Sequence, residues 1–168
     1  YHAVTTTGGR YVQGGGCTTV GCAGFTNGGG FGSFSKGFGT GASNLLEAEV
    51  VTADGNIRVV NAFQDPELFW ALKGGGGGSF GVITRLTFRT HELPDTIGAV
   101  SGTLEADGDE AYTALVAQLL RHFRDHLCNP RWGESMEFHG DRHVDLRMLF
   151  QGIDEDEAKA AWQPLIDW

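Results

Sequence analysis

Cysteine is scarce in this chain: Cys17, Cys22 and Cys128 are the only three among 168 residues. An odd count is no disulfide framework, and the absence of any Cys-x-x-Cys argues against a structural zinc or thioredoxin-type site. Long apolar runs are missing too; none approaches the ~20 residues that span a bilayer. No basic, apolar-cored leader opens the chain; it starts on Tyr1 rather than Met, which leaves room for a lost N-terminal part that carried one. Positive charge is in short supply, with 12 Lys and Arg against 21 Asp and Glu for a net charge of −9. No basic face stands out, so neither nucleic acid nor a membrane is expected as a partner. The 27 glycines follow no Gly-x-y period, which excludes collagen.

Apolar residues make up 40% and charged residues 20%, enough to bury a core. The distribution is uneven. Residues 1–90 hold 21 of the glycines and a net charge of +1, whereas residues 91–168 hold six glycines and a net charge of −10. Two compositions in one short chain suggest two structural units, with a boundary near His91–Asp95.

Residues 4–41 interleave glycines with Val20, Phe25, Phe31, Phe34 and Phe38. A Gly/Ser linker lacks such large apolar residues. Asp54-Gly55 between β-rich runs predicts a hairpin over residues 45–60. A short helix is expected over 65–73, with Asp65 as N-cap, Pro66 at the first position and Gly74 as terminator. Residues 82–89 read as a strand with Val82, Leu86 and Phe88 on one face. Beyond the boundary, a strand over 97–104 is followed by an amphipathic helix over 109–127. Tyr112, Leu115, Val116, Leu119, Leu120, Phe123 and Leu127 form that helix's apolar stripe. Strands over 135–139 and 143–150 and a helix from Asp154 complete a β-α-β-β-α order.

Several motifs fail on context. Lys36 and Lys73 are each followed by glycine, so there is no P-loop, and Gly37-Phe-Gly39-Thr-Gly41 lacks the strand and spacing of a Rossmann turn. Gly77-Gly-Ser79-Phe-Gly81 matches G-x-S-x-G, but a helix precedes it and a strand follows, the reverse of a nucleophile elbow. His122/His126 and His139/His143 have metal-compatible spacing without an evident third ligand, and read as solvated. Cys17 follows three glycines on a loop, where a thiolate could add to an electrophilic ring. Free cysteines are as often simply packed, so composition leaves the two roles level.

Four segments carry a resemblance: Gly14-Gly-Gly-Cys17-Thr-Thr-Val-Gly21, Gly24-Phe-Thr-Asn-Gly-Gly-Gly-Phe-Gly32, Leu45-Leu-Glu-Ala-Glu-Val-Val-Thr-Ala-Asp-Gly55 and Leu68-Phe-Trp-Ala-Leu-Lys-Gly-Gly-Gly-Gly-Gly-Ser-Phe-Gly-Val-Ile-Thr84. In order and spacing they resemble the berberine bridge enzyme-like FAD-linked oxidases of the vanillyl-alcohol oxidase superfamily. The resemblance implies an α+β chain: residues 1–95 the second half of a PCMH-type FAD-binding domain, residues 96–168 the start of a ferredoxin-like substrate domain. It implies FAD as cofactor, with Cys17 as a covalent tether to the flavin ring. Val20, Gly21, Cys22, Ala23, Gly24 and Phe25 follow the ring and ribityl chain, and Phe31 lies beside the cofactor. Gly78, Val82 and Ile83 lie toward the adenosine part, and Val20 gates oxygen. Hydride would pass from an alcohol, sugar or C–H substrate to flavin and on to O2.

The sequence departs from the family at Thr18, at Cys22-Ala23 and at Ser79, and the second thiol leaves open which cysteine reacts. The upstream Arg-x-Gly-Gly-His loop and the C-terminal catalytic residues have no counterpart, so no general base is named. The chain therefore reads as a fragment that binds FAD poorly alone. A truncated, non-catalytic homologue and a split enzyme completed by another chain are the alternatives. The compartment stays open between export and cytoplasm, and the motif set looks bacterial.

Overall fold

The Asp54-Gly55 turn is the simplest place to see sequence become structure. In the computed structural model, which describes residues 1–168 apart from the side chain of Glu134, Gly55 takes φ +78° and its N–H donates to the Thr52 carbonyl at 2.9 Å. Asp54 accepts from the Asn56 N–H at 3.1 Å and from Arg58 at 3.1 Å. With the Thr52 hydroxyl as the largest influence, these donors hold its carboxyl far below the usual range.

The chain divides into two units, Tyr1–Leu93 and Pro94–Trp168, each mixing helices with antiparallel sheet. In the first, a short strand β1 (Arg10–Tyr11) precedes helices α1 (Cys22–Asn27) and α2 (Ser35–Phe38). Strands β2 (Leu45–Val51) and β3 (Ile57–Asn61), helix α3 (Pro66–Leu72), and strands β4 (Val82–Phe88) and β5 (His91–Glu92) follow. The main sheet has the order β3-β2-β4, and β1 pairs with β5. Its core is Leu45, Ala48, Val50, Val60, Phe69 and Leu72, flanked by Leu68, Ile83, Leu86 and Phe88.

Two local expectations fail here. Asp65 precedes α3 but caps nothing; it sits at φ +48° and its carboxylate pairs with Arg58 at 3.2 Å. Val82 is 68% exposed and does not share a face with Leu86 and Phe88. The register shifts between Glu49 and Val50, so Ala48 faces Leu86 while Val50 faces Ile83. That bulge breaks the two-residue period and turns Ile83, not Val82, toward the core.

The second unit runs β6 (Ile97–Glu105), α4 (Asp109–His122), β7 (Trp132–Phe138), β8 (His143–Gln151) and α5 (Glu155–Ile166). The sheet order β6-β8-β7 is antiparallel throughout, the split β-α-β arrangement of ferredoxin-like folds. One face packs Trp132, Val144, Leu146, Met148 and Phe150 against Leu115, Leu119, Ala158, Trp162 and Leu165 of the two helices. In the register of the other face, Ser101, Arg147 and Ser135 form one row and Thr103, Asp145 and Glu137 the next. Asp154 caps α5 in a full capping box with Glu157. The helix runs through Pro164 to Ile166.

After His122, α4 widens into a π-turn over Phe123–Leu127, which slides the apolar stripe around the axis. Within α4 itself Leu120 is 52% exposed, while His122, expected in solvent, is buried at 4% on the side of Leu115 and Leu119. It lies 5.2 Å from the Trp162 ring and 4.8 Å from His126. Among the described residues, no helix is long and apolar enough to cross a membrane.

Candidate functional site

The glycine-rich stretch before α1 is pinned at its start by a buried Gln13. The Tyr11 hydroxyl donates to Gln13 Oε1 at 3.0 Å, and Gln13 Nε2 donates to the Gly14 carbonyl at 2.9 Å. Gly14 runs beneath the Tyr1 ring and Gly15 beneath the Phe25 ring; a Cβ there would lie 2.9 and 3.1 Å from those rings. Cys17 then stands exposed on the loop, followed by Val20 at 49% exposure and by Gly21, which precedes α1.

Cys22 is exposed as well, but its surroundings differ. The Tyr1 hydroxyl bonds to it, and burial, then the nearby thiol, push the Tyr1 pKa up to about 12. Cys17, Cys22 and Cys128 are all free thiols.

The far end of α1 meets the second glycine-rich segment. Asn27 is buried; its Nδ2 donates to the Leu72 carbonyl at 2.6 Å, and its own carbonyl accepts from the Gly76 N–H at 2.8 Å. The loop Gly74–Gly78 is thereby fastened along α1. A Cβ on Gly74 would lie 3.7 Å from the Gly29 Cα, and one on Gly77 4.0 Å from the Gly24 Cα. Gly24, Asn27 and Gly29 thus adjoin the loop that ends at Gly78. Val82 stays on the surface at the start of β4, and Ile83 is half-buried against the core. Phe31 is 73% exposed.

The glycines fall into two kinds. Some are glycine because the protein fills their side-chain space. A Cβ on Gly30, at φ +74°, would sit 2.8 Å from the Gly41 Cα and 2.9 Å from the Phe25 ring, and one on Gly32 would collide with Gln13 and the Gly14 carbonyl. Others have no such reason. Gly16, Gly21 and Gly24 have no left-handed backbone, and a Cβ on each would meet nothing within 4 Å. Neither conformation nor packing within the chain accounts for the missing side chain at these three positions, which surround Cys17 and Val20. A flat ligand lying against bare backbone does account for it.

Sequence reasoning missed three members of this arrangement. Gln13 and Tyr1 carry no local signal. Asn27 reads as an ordinary helix-ending Asn-Gly, and its role as a clamp depends on a contact 45 residues away. It also missed an aromatic cluster. Tyr11 lies 4.4 Å from Phe38, Phe38 lies 4.9 Å from His91, and the His91 Nε2 is 2.8 Å from Asn44 Oδ1. Burial, then the charges of Arg89 and Arg10, lower the His91 pKa.

No family model matches the chain. The VAO-type flavoprotein oxidase VAO615 of Thermothelomyces thermophilus is 36% identical over 173 residues, which cover 99% of this chain and 29% of that protein. The crystal structure of the VAO-type flavoprotein MtVAO615 from Myceliophthora thermophila C1 matches with a TM-score of 0.82 at 34% identity, over 99% of this chain and 30% of that one. A glucooligosaccharide oxidase from Acremonium strictum, described with a 6-S-cysteinyl, 8α-N1-histidyl FAD, shares the fold at a TM-score of 0.81 and 24% identity, over 98% of this chain and 34% of its own. The chain spans less than a third of the length of the curated relatives it matches.

Proposed function

Because the chain belongs, along the stretch it spans, to the berberine bridge enzyme-like, VAO-type FAD-linked oxidoreductases, we propose that Tyr1–Leu93 is the flavin-side part of an FAD-binding domain. Pro94–Trp168 is then the beginning of a substrate domain. The observation that carries this reading is the trio Gly16, Gly21 and Gly24, each with open side-chain space and close in sequence to an exposed Cys17.

Bound FAD would supply the redox chemistry, accepting a hydride from an alcohol, sugar or C–H substrate and passing the electrons to O2 to give hydrogen peroxide. The chain's own residues hold and orient. Gly16, Gly21 and Gly24 let backbone approach the ring system, while Phe25, wedged among Gly15, Gly30 and Gly41, fixes the shape of that backbone. Gly78 and the start of β4 at Val82 and Ile83 serve the adenosine end. Phe31 offers an exposed ring beside the cofactor, and Val20 stands where oxygen would enter. Cys17 supplies the tethering sulfur. Cys22, the second exposed thiol, is the alternative. In the second unit, the row Ser101–Arg147–Ser135 gives hydrogen-bonding groups suited to a polyhydroxylated substrate.

The test is a visible spectrum before and after acid precipitation, on this chain reconstituted with FAD and on any longer polypeptide that carries it. Yellow colour retained in the pellet, and released or shifted in its spectrum by Cys17→Ala but not by Cys22→Ala, is the expected result. A protein that stays colourless in both forms overturns the reading and leaves a non-catalytic homologue.

A further inference from the structure

The β7–β8 hairpin brings together chemistry that the flavin reading does not use. Its turn is closed by the His139 N–H donating to the His143 carbonyl at 3.0 Å and the Arg142 N–H donating to the His139 carbonyl at 3.2 Å. Arg142 takes φ +70° to make that turn. The result stacks the His139 and His143 rings 4.0 Å apart and 12° from parallel. Asp141, between them in sequence, comes back over the pair, with its Oδ1 2.7 Å from His143 Nδ1. His139, Asp141 and His143 each bring one ligand atom within 4.8 Å of the others.

A fourth group lies on the rings' other side. Asp145 Oδ2 is 3.4 Å from His139 Nε2 and 3.9 Å from His143 Nε2. The Thr103 hydroxyl donates to Asp145 Oδ1 at 2.6 Å and fixes the orientation of that carboxylate. His139 Nε2 is shielded from solvent and makes no hydrogen bond, although Asp145 is near. In the strand register Glu105 lies opposite His143 and Glu137 opposite Asp145. Arg142 is drawn to Asp109 at 3.3 Å. Arg147 is the remaining cation acting on Asp145.

The stacked rings and the Asp141 carboxylate bring two nitrogen donors and one oxygen donor within reach of a single cation. We propose that His139, Asp141 and His143 bind a single divalent transition-metal ion, with Asp145 orienting the imidazoles from behind. Two nitrogen ligands and one carboxylate suit Zn²⁺, Co²⁺, Ni²⁺ or Cu²⁺ and disfavour the all-oxygen preference of Mg²⁺ and Ca²⁺. A carboxylate behind a ligating histidine is the usual outer support of such sites. The ion would tie the two strand ends of the hairpin across the turn, and the proposal stands apart from the flavin reading.

The test uses the full chain, freed of metal with a chelator, in a background of Cys17→Ser, Cys22→Ser and Cys128→Ser so that thiolates do not report. Calorimetric titration with Zn²⁺ should give one equivalent, and Co²⁺ should produce a visible spectrum. Excess Mg²⁺ should leave both unchanged. The double variant His139→Ala/His143→Ala should lose binding, and Asp145→Asn should weaken it about 10–100-fold. Circular dichroism confirms that each variant folds, and His143→Gln replaces the double variant if it does not. Absence of stoichiometric Zn²⁺ binding, or binding that survives loss of the two histidines, overturns the proposal.

Discussion

The two units of this chain reach order by different routes. Pro94–Trp168 is built from long strands and two helices around a continuous core, twelve buried residues with two tryptophans at its centre. Tyr1–Leu93 has a core half that size, under one sheet. The rest of it is loop, held by backbone hydrogen bonds such as Gly41 N–H to the Gly30 carbonyl at 2.7 Å and Ala42 N–H to the Gly29 carbonyl at 3.0 Å. The difference teaches that glycine here is spent on shape, whereas the acidic second unit spends its residues on burial. A unit of the first kind offers bare backbone to a ligand; one of the second kind offers side chains on a rigid sheet face.

The largest expected effect breaks the second unit. Trp132 is 2% exposed and lies 5.6 Å from Phe150 and 6.3 Å from Trp162, ring to ring. Trp132→Ala should cost about 3–5 kcal/mol, read as a lowered midpoint in urea denaturation followed by near-UV circular dichroism.

The next prediction separates the two kinds of glycine in the first unit. Gly30→Ala places a methyl group against Gly41 and Phe25 at a left-handed backbone position, and should cost about 1–3 kcal/mol of stability. Gly24→Ala has open space and no such backbone, and should stay within about 0.5 kcal/mol of the parent while weakening FAD binding. Equal stability losses in the two variants would erase the distinction.

The smallest effect is the share of a pH slope that His122 gives the second unit, beside the one His91 gives the first. Burial, reinforced by His126 and opposed by Asp125, pulls the His122 pKa below its ordinary 6.5. The unfolded chain therefore binds this proton more readily than the folded one. Stability should be full above pH 6.5 and decline as pH falls through 6.5 toward the lower folded value. His122→Leu should flatten that decline in denaturant midpoints measured across the interval.

Much of this architecture was legible in the sequence because its signals are local. The Asp54-Gly55 hairpin, Pro66 opening α3, and the capping residues of α5 each act within a few positions of themselves. What escaped depends on partners far along the chain or on a broken period. The bulge opposite Val50 moved Val82 outward, and the packing of α4 against Trp162 took His122 inward. Asp141 joined the His139/His143 pair only because the hairpin folds the turn back over the rings. At the proposed flavin-side site, the glycine segments were visible as composition, but which glycines are hemmed in by protein and which face open space was not. That sorting needs the position of Phe25 and of Gly41.

Asn27 grips α3 with its side chain and the Gly76 amide with its carbonyl, so the two glycine-rich segments are mechanically coupled. Neither can drift without dragging the other. Whatever quiets the motion of one therefore quiets the other, and a ligand touching either segment meets a single body whose ordering entropy is lost once rather than twice.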